Sequence, residues 1–311
     1  MSKDYYDYGH RLSHSQFKTY RECPRKWQHK YREGRYPSSH SEHFIFGTAV
    51  HEAIQGYLEA WYGEDDTSEY DIHDELRIQL RDEFESDLDD FEGDEFPVTK
   101  KRMVELYHEG IDLLDNFLAV KGSYFDPENE TLAGIETRLL EPTDVNENVA
   151  WLGYIDVLLK SGDKWRIVDL KTSTKGWGYH KKKDKKTTDQ LLAYKLFFAK
   201  QEGVDPYDVD VEYVILAKDN IKSKKLVESF VPEDEIERVD SEVNKFVSEA
   251  FDESGEPKQD VDHPKNPDKW NCCFCPFSKQ FGDEGHKICD HPEYDGYPES
   301  MRPYVPDQYV G

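Results

Sequence analysis

Two aspartates and a lysine near the middle of the chain have the types and spacing that could do chemistry. Asp156 lies in the segment LGYIDVLL, and Asp169 and Lys171 lie in the segment WRIVDLKTS. The second segment is β-branched and apolar at its start, which favours a strand, and alternate side chains of a strand share a face. Charged side chains at the end of a buried strand are costly unless they pair or bind something. The segment therefore predicts a salt bridge, charges that reach solvent, or a binding site.

A turn between the two segments would bring the aspartates together. Residues 161–163 have the sequence SGD, which is a turn signal, and they separate strand-like segments at 149–160 and 164–172. A hairpin of this length would place Asp156 and Asp169 at one end of adjacent strands.

Two convergent carboxylates with a nearby lysine suit the hydrolysis of a phosphodiester. Asp156, Asp169 and the backbone carbonyl of Leu170 offer oxygen ligands of the kind that Mg²⁺ prefers. Such a cation polarises a phosphoryl oxygen and lowers the pKa of a bound water. Lys171 would orient that water and offset the developing charge. The pattern therefore predicts a divalent-metal site.

The segments around this site form a helical first third and a mixed middle. Periodic apolar residues predict helices over residues 44–62, 68–91, 99–121, 188–201 and 233–251, and strands over 132–142 and 209–218. The fold class is therefore α/β, with a small mixed central sheet flanked by helices. We expect one domain over residues 1–311, made of a helical N-terminal part (12–125), an α/β core (130–252) and an irregular Cys-rich tail (253–311).

Four short motifs, in this order, carry a resemblance to a known family: GTAVH (47–51), LGYID (152–156), DLK (169–171) and QLLAY (190–194). With the opening segment SQFKTYRECPRKW, residues 12–290 resemble the PD-(D/E)XK nuclease superfamily, in its RecB-like branch of AddB and CRISPR-associated exonucleases. The proline that gives the family its name is absent, because Ile155 precedes Asp156.

The resemblance implies a restriction-endonuclease-like core and a DNA-hydrolysing site. It implies that Mg²⁺ or Mn²⁺ is held by His51, Asp156, Asp169 and the carbonyl of Leu170, while Lys171 positions the attacking water.

The same resemblance assigns a role to the helix that follows the lysine strand. Gln190 and Tyr194 lie four residues apart, hence on one helix face, where they would contact the substrate or the lysine. The branch favours an exonuclease acting on DNA ends in recombination, repair or replication, with a helicase or recombination protein as partner. A non-catalytic DNA-binding or assembly module and a structure-specific endonuclease are the alternatives.

The cysteines suggest a second metal centre. An odd number of them, five, in a chain for which no signal peptide is predicted argues against a disulfide framework. The resemblance implies a structural [4Fe-4S] cluster, with the ligands Cys23, Cys272, Cys275 and Cys289.

The spacing of these cysteines leaves other metals open. The gap before Cys289 is longer than the family pattern, and Cys273 is an alternative ligand. His286 and His291 lie near Cys289, so a structural Zn²⁺ site is a rival, and a tail without metal is a third reading.

The chain is acidic, with a net charge of -26, which argues against general affinity for nucleic acid but leaves room for a local basic site. Residues 175–186, KGWGYHKKKDKK, form such a segment beside the proposed site. We expect either a solvated loop or a DNA contact in which Trp177 and Tyr179 stack on bases. The candidate DNA-binding lysines of this segment are Lys181, Lys182, Lys183, Lys185 and Lys186.

No apolar run approaches the length of a membrane span, and the first residues do not resemble a signal peptide. We therefore expect a cytoplasmic protein without a membrane partner. A viral or phage origin is compatible with a chain of this kind.

Overall fold

The computed structural model of the protein describes residues 8–36, 41–63, 69–91, 96–218, 226–267, 271–272, 275–278 and 288–289. The α-helices are α1 (His14–Glu22), α2 (Pro24–Trp27), α3 (Glu42–Tyr62), α4 (Ile72–Asp89), α5 (Lys100–Val120), α6 (Tyr179–Lys183), α7 (Lys185–Glu202) and α8 (Ile236–Ala250). The strands are β1 (His10–Leu12), β2 (Thr131–Thr143), β3 (Asn146–Ser161), β4 (Lys164–Ser173), β5 (Val209–Ala217) and β6 (Val227–Phe230). A π-helical turn, Gln28–Arg32, follows α2.

The strands form one mixed six-stranded sheet in the order β1-β3-β4-β5-β6, and β2 pairs with β3 outside this path. β3 and β4 are the antiparallel hairpin that the sequence predicts. β4 runs parallel to β5, so the chain crosses over between them through α6 and α7. The predicted α/β class, with a mixed central sheet flanked by helices, is confirmed.

The residues group into two compact units. One comprises residues 40–141 and 152–240, and the other comprises residues 1–39, 142–151 and 241–311. The single domain expected over residues 1–311 stays a prediction.

The larger unit has its main core between the sheet and three helices. Val168 and Leu170 of β4 are fully buried in one apolar cluster with residues of α3, α4 and α5. On α3, Ala49, Ala53 and Leu58 are also fully buried, as their helical spacing predicts. Trp165 of β4 lies against Phe198 of α7, with ring centroids 5.2 Å apart.

The smaller unit has an aromatic core. Phe17, Trp27, Trp151 and Phe246 are all buried, and the ring centroids of Trp27 and Phe246 lie 5.4 Å apart. Ser13 is the N-cap of α1, as its position before Gln16 predicts. Pro24 occupies the first turn of α2 after α1 has ended, because proline is tolerated there and not in a helix interior.

Three elements were missed by the sequence analysis. The short edge strand β6 and the three-residue β1 are too brief to give a strand pattern. The basic segment is helical rather than a loop, because α6 covers residues 179–183 and α7 begins at Lys185. No helix in the described part of the chain is long and apolar enough to cross a membrane.

Candidate active site

Asp156 and Asp169 lie side by side at the end of the β3–β4 hairpin. The paired register of the two strands runs from Ser161 opposite Lys164 to Val157 opposite Val168. Asp156 and Asp169 are the next residues beyond that register. There the Oδ2 atom of Asp156 accepts a hydrogen bond of 2.8 Å from the backbone N–H of Leu170. This hydrogen bond lies just beyond the last paired residues of the two strands, and it holds the Asp156 carboxylate against β4.

The charges of the site are concentrated on Asp169 and Lys171. The Nζ atom of Lys171 lies 2.5 Å from the Oδ2 atom of Asp169, whose side chain is 1% exposed. The Oδ1 atom of Asp169 is buried and has no hydrogen-bond partner among the described residues. A buried carboxylate oxygen without a partner is rare and marks a position where a ligand or ion would be favourable.

Burial sets the protonation of both carboxylates. It raises the pKa of Asp156 and of Asp169 to about 6, although the positive charge of Lys171 opposes the rise in each case. Burial lowers the pKa of Lys171, but the two aspartates outweigh it and leave the pKa above its ordinary value. At neutral pH the three groups therefore carry a net charge of about -1.

His51 of α3 faces the carboxylate of Asp156. Its Nδ1 atom lies 3.6 Å from the Oδ2 atom of Asp156. Burial, followed by the charge of Lys171, lowers the pKa of His51 to about 4. The imidazole is therefore neutral at pH 7 and retains a lone pair, as a metal ligand must.

Gln190 and Tyr194 meet on one face of α7. The Nε2 group of Gln190 donates a hydrogen bond of 3.2 Å to the hydroxyl oxygen of Tyr194. Burial, followed by the charge of Asp169, raises the pKa of Tyr194 to about 12, so the hydroxyl keeps its proton. A Cβ atom at Gly153 would lie 2.7 Å from the Tyr194 ring, which shows that glycine is required for this approach.

Sequence reasoning missed one residue beside the site. Gln55 lies one helical turn after His51 on α3, is 1% exposed, and donates to the side chain of Glu136 and to the main chain of Asp156. The spacing of four from His51 could have indicated Gln55, whereas only the fold brings Glu136 of β2 near it.

The donor set fits a hard divalent cation. It combines carboxylate oxygens, a backbone carbonyl and one neutral imidazole, and Asp169 offers a buried oxygen without a partner. As the side chains stand, no three His, Cys, Asp or Glu residues within the described ranges lie close enough together to form a complete metal site. Lys171 forms an ion pair with Asp169 in this arrangement.

The four predicted cluster cysteines line one pocket of the smaller unit. Cys23, Cys275 and Cys289 are free thiols. The backbone N–H of Asn266 donates to the Sγ atom of Cys23 at 3.4 Å, and burial raises the pKa of Cys275 to about 11. The pocket is lined by Cys23, Cys272, Cys275 and Cys289. The alternative ligands Cys273, His286 and His291 lie outside the described residues.

The basic segment is paired with acidic residues rather than solvated alone. Lys182 donates to Glu228 at 2.9 Å, and Lys183 and Lys185 form ion pairs with glutamates of residues 233–235. The Nζ atom of Lys181 lies 4.6 Å above the ring of Trp177.

The expected stacking of Trp177 on bases is wrong. Its ring is 3% exposed because Tyr213 and Phe230 cover it, with centroids 4.9 Å and 6.3 Å away. Tyr179, in contrast, is 73% exposed.

A model of the family described as the PD-(D/E)XK nuclease superfamily matches residues 11–280 of the chain. The match covers every residue named above for the hairpin site, and it covers Cys23, Cys272 and Cys275 but ends before Cys289. No curated protein sequence matches the chain.

Proposed function

The chain belongs to the PD-(D/E)XK nuclease superfamily, and on that basis we propose that it is a metal-dependent DNA exonuclease that hydrolyses phosphodiester bonds at DNA ends. The observation that carries this proposal is the pair of buried carboxylates beside Lys171 at the end of the hairpin. A buried carboxylate oxygen of Asp169 without a partner would be costly in a purely structural site.

The metal site would be formed by four groups. His51, Asp156, Asp169 and the carbonyl of Leu170 would hold Mg²⁺ or Mn²⁺. When bound, the cation would polarise the phosphoryl oxygen and lower the pKa of a nearby water.

The remaining side chains act directly on water and phosphate. Lys171, held against Asp169, would donate a hydrogen bond that orients the attacking water. The water oxygen forms a bond to phosphorus and releases a proton to solvent, the bond to the leaving sugar oxygen breaks, and that oxygen takes up a proton from solvent. The protonated hydroxyl of Tyr194, held by Gln190, can donate to a phosphate oxygen.

The basic segment would supply contacts to the DNA backbone. Its ion pairs are at least partly exposed, and the side chains of Lys183 and Glu233 are 49% and 64% exposed. Exposed pairs of this kind contribute little, about 0 to 1 kcal/mol, so phosphates can replace the glutamates. The DNA-binding residues proposed here are Lys181, Lys182, Lys183, Lys185 and Lys186.

The cysteine pocket would hold a structural [4Fe-4S] cluster, with Zn²⁺ as the alternative. Four cysteines that line one pocket, with a backbone N–H donating to the sulfur of Cys23, support this proposal. A helicase or recombination protein as partner rests on the family resemblance alone.

The experiment that tests the exonuclease assignment compares linear and circular DNA. Anaerobically purified protein is incubated in Mg²⁺, Mn²⁺ or EDTA with end-labelled linear single- and double-stranded DNA and with closed circular DNA of each kind. The proposal predicts metal-dependent degradation of linear DNA and intact circles. Cleavage of circles would identify an endonuclease, and binding without cleavage would identify a non-catalytic module.

A further inference from the structure

Gln55 joins three elements beneath the hairpin carboxylates. Its side-chain Nε2 group donates a hydrogen bond of 2.7 Å to the Oε1 atom of Glu136 on β2. The same group donates a bond of 3.1 Å to the main-chain carbonyl oxygen of Asp156 on β3. Gln55 itself is on α3, four residues after His51 and hence on the same helix face.

The orientation of this amide is dictated by its neighbours. A carboxylate oxygen and a carbonyl oxygen can only accept, so the amino group must face both of them. The Oε1 atom of Gln55 is then left buried without a hydrogen-bond partner among the described residues. That cost is tolerated only if the two donated bonds matter to the fold or to the site.

Glu136 is held in an unfavourable backbone conformation at this contact. Its φ of 45° makes it the single non-glycine residue with positive φ in the described part of the chain. Such strain persists only where the surroundings hold the residue in place. The bond from Gln55 is one such restraint, and it fixes the Glu136 carboxylate beside the hairpin site.

The charge of Glu136 acts on the groups of the site. Burial raises the pKa of Asp156, and after the opposing effects of Lys171 and the Leu170 N–H, Glu136 raises it further. The same charge favours the protonated form of His51, against burial and Lys171. Glu136 is therefore close enough to the proposed metal ligands for its charge to act on them.

We propose that Gln55 is a positioning residue, which holds the main chain of Asp156 and the carboxylate of Glu136 in place and thereby sets the affinity of the site for a divalent cation. This inference rests on the proposed function. Residues that orient metal ligands from behind commonly change metal affinity by about 10- to 100-fold when replaced.

The test compares Gln55→Met with Gln79→Met. Methionine keeps the length of the side chain and removes both donors. Gln79 is a matched control because its Nε2 group also donates a 2.7 Å bond, to Glu75 within α4. Mn²⁺ affinity is measured by calorimetry on EDTA-treated protein without DNA, and kcat and the Mn²⁺ concentration for half-maximal cleavage are measured separately.

We expect Gln55→Met to bind Mn²⁺ about 10- to 100-fold more weakly than the wild type, with Gln79→Met unchanged. Gln55→Leu, which also removes both donors and adds no charge, should weaken Mn²⁺ binding at least as much, and it replaces the methionine variant if that variant fails to fold. Wild-type Mn²⁺ affinity in both Gln55 variants, whether or not their stability falls, would overturn the inference.

The outcomes separate this inference from the proposed function. Unchanged Mn²⁺ binding by the Gln55 variants of a protein that cleaves DNA would overturn the role of Gln55 and leave the nuclease proposal intact. Weakened Mn²⁺ binding in a protein that cleaves no DNA would support Gln55 and contradict the nuclease proposal. No Mn²⁺ binding at the wild-type site would overturn both.

Discussion

The side chain of Asp156 on β3 is hydrogen-bonded to the main chain of the neighbouring strand β4. Its Oδ2 atom accepts a 2.8 Å hydrogen bond from the backbone N–H of Leu170. The two residues lie on different strands, and Leu170 directly follows Asp169 in sequence. This hydrogen bond therefore holds the Asp156 carboxylate next to the residue that directly follows Asp169. Because Leu170 is fully buried in the core, the position of the site is tied to the packing of the sheet.

The first prediction concerns the stability cost of Asp156 in protein without divalent cations. Its ordinary pKa of 3.8 rises to about 6 in the folded state. The folded protein therefore binds more protons than the unfolded chain between these values, and the free energy of unfolding falls as pH rises through that window. The cost persists above pH 6.

Asp156→Asn removes this cost and keeps an oxygen that can accept from the Leu170 N–H. We expect the variant to be about 1 to 3 kcal/mol more stable than the wild type at pH 7.5, with the gain disappearing below about pH 4. Denaturant unfolding in EDTA at both pH values measures it. Asp163→Asn, at the exposed hairpin turn, is the control. A destabilised Asp156→Asn protein at pH 7.5 would contradict the electrostatic description.

The second prediction concerns the glycine beneath Tyr194. A Cβ atom at Gly153 would lie 2.7 Å from the ring, so Gly153→Ala must displace the Tyr194 side chain. We expect a loss of about 1 to 3 kcal/mol in the free energy of unfolding, as for other overpacked sites. Cleavage should fall at least as far as in Tyr194→Phe. Gly122→Ala, where an added Cβ meets no atom within 4 Å, should leave cleavage unchanged. Full activity in Gly153→Ala would show that the ring position is unimportant.

The third prediction concerns the basic segment. A Lys182→Ala, Lys183→Ala, Lys185→Ala variant should bind single-stranded DNA more weakly, with a shallower dependence of log K on log salt. Each lost phosphate contact should reduce the slope by about 0.7.

The control for the basic segment is Lys164→Ala, an exposed lysine paired with Asp208 at the other end of β4. Binding is measured by fluorescence anisotropy in Ca²⁺ or EDTA over a range of salt concentrations. Equal salt slopes for the triple variant, the control and the wild type would remove the segment from the DNA interface.

The fourth prediction concerns the cysteine pocket. Anaerobically purified protein should contain about four iron atoms per chain, as expected for one [4Fe-4S] cluster. Cys272→Ser should lose the metal and lower the thermal stability of the protein. One zinc atom per chain by elemental analysis would favour the zinc alternative. Protein that contains no metal, and whose thermal stability Cys272→Ser leaves unchanged, would contradict both the cluster and the zinc site.

Local sequence patterns predicted the parts of the site that lie on single elements. The alternation in β4 and the turn at 161–163 predicted the hairpin, and a spacing of four predicted that Gln190 and Tyr194 would share one helix face. These features depend on residues that are close together in sequence. They can therefore be predicted without knowing the fold.

The features that were missed depend on contacts between distant segments. Gln55 and Glu136 are 81 residues apart, and no periodic pattern links a helix face to a strained position on β2. Trp177 was expected at the surface because its segment is basic, but β5 and the unrecognised strand β6 cover it. Tertiary packing overrode the local polarity in that case.

The most direct measurement of the central claim compares the wild type with Lys171→Ala in cleavage of end-labelled DNA. Both proteins are assayed in Mg²⁺, Mn²⁺ and EDTA, after circular dichroism and DNA binding have shown that the variant is folded and binds. The account predicts metal-dependent cleavage by the wild type that falls at least about 100-fold in the variant. Equal cleavage by both proteins, or none by folded wild-type protein with Mn²⁺ bound, would contradict it.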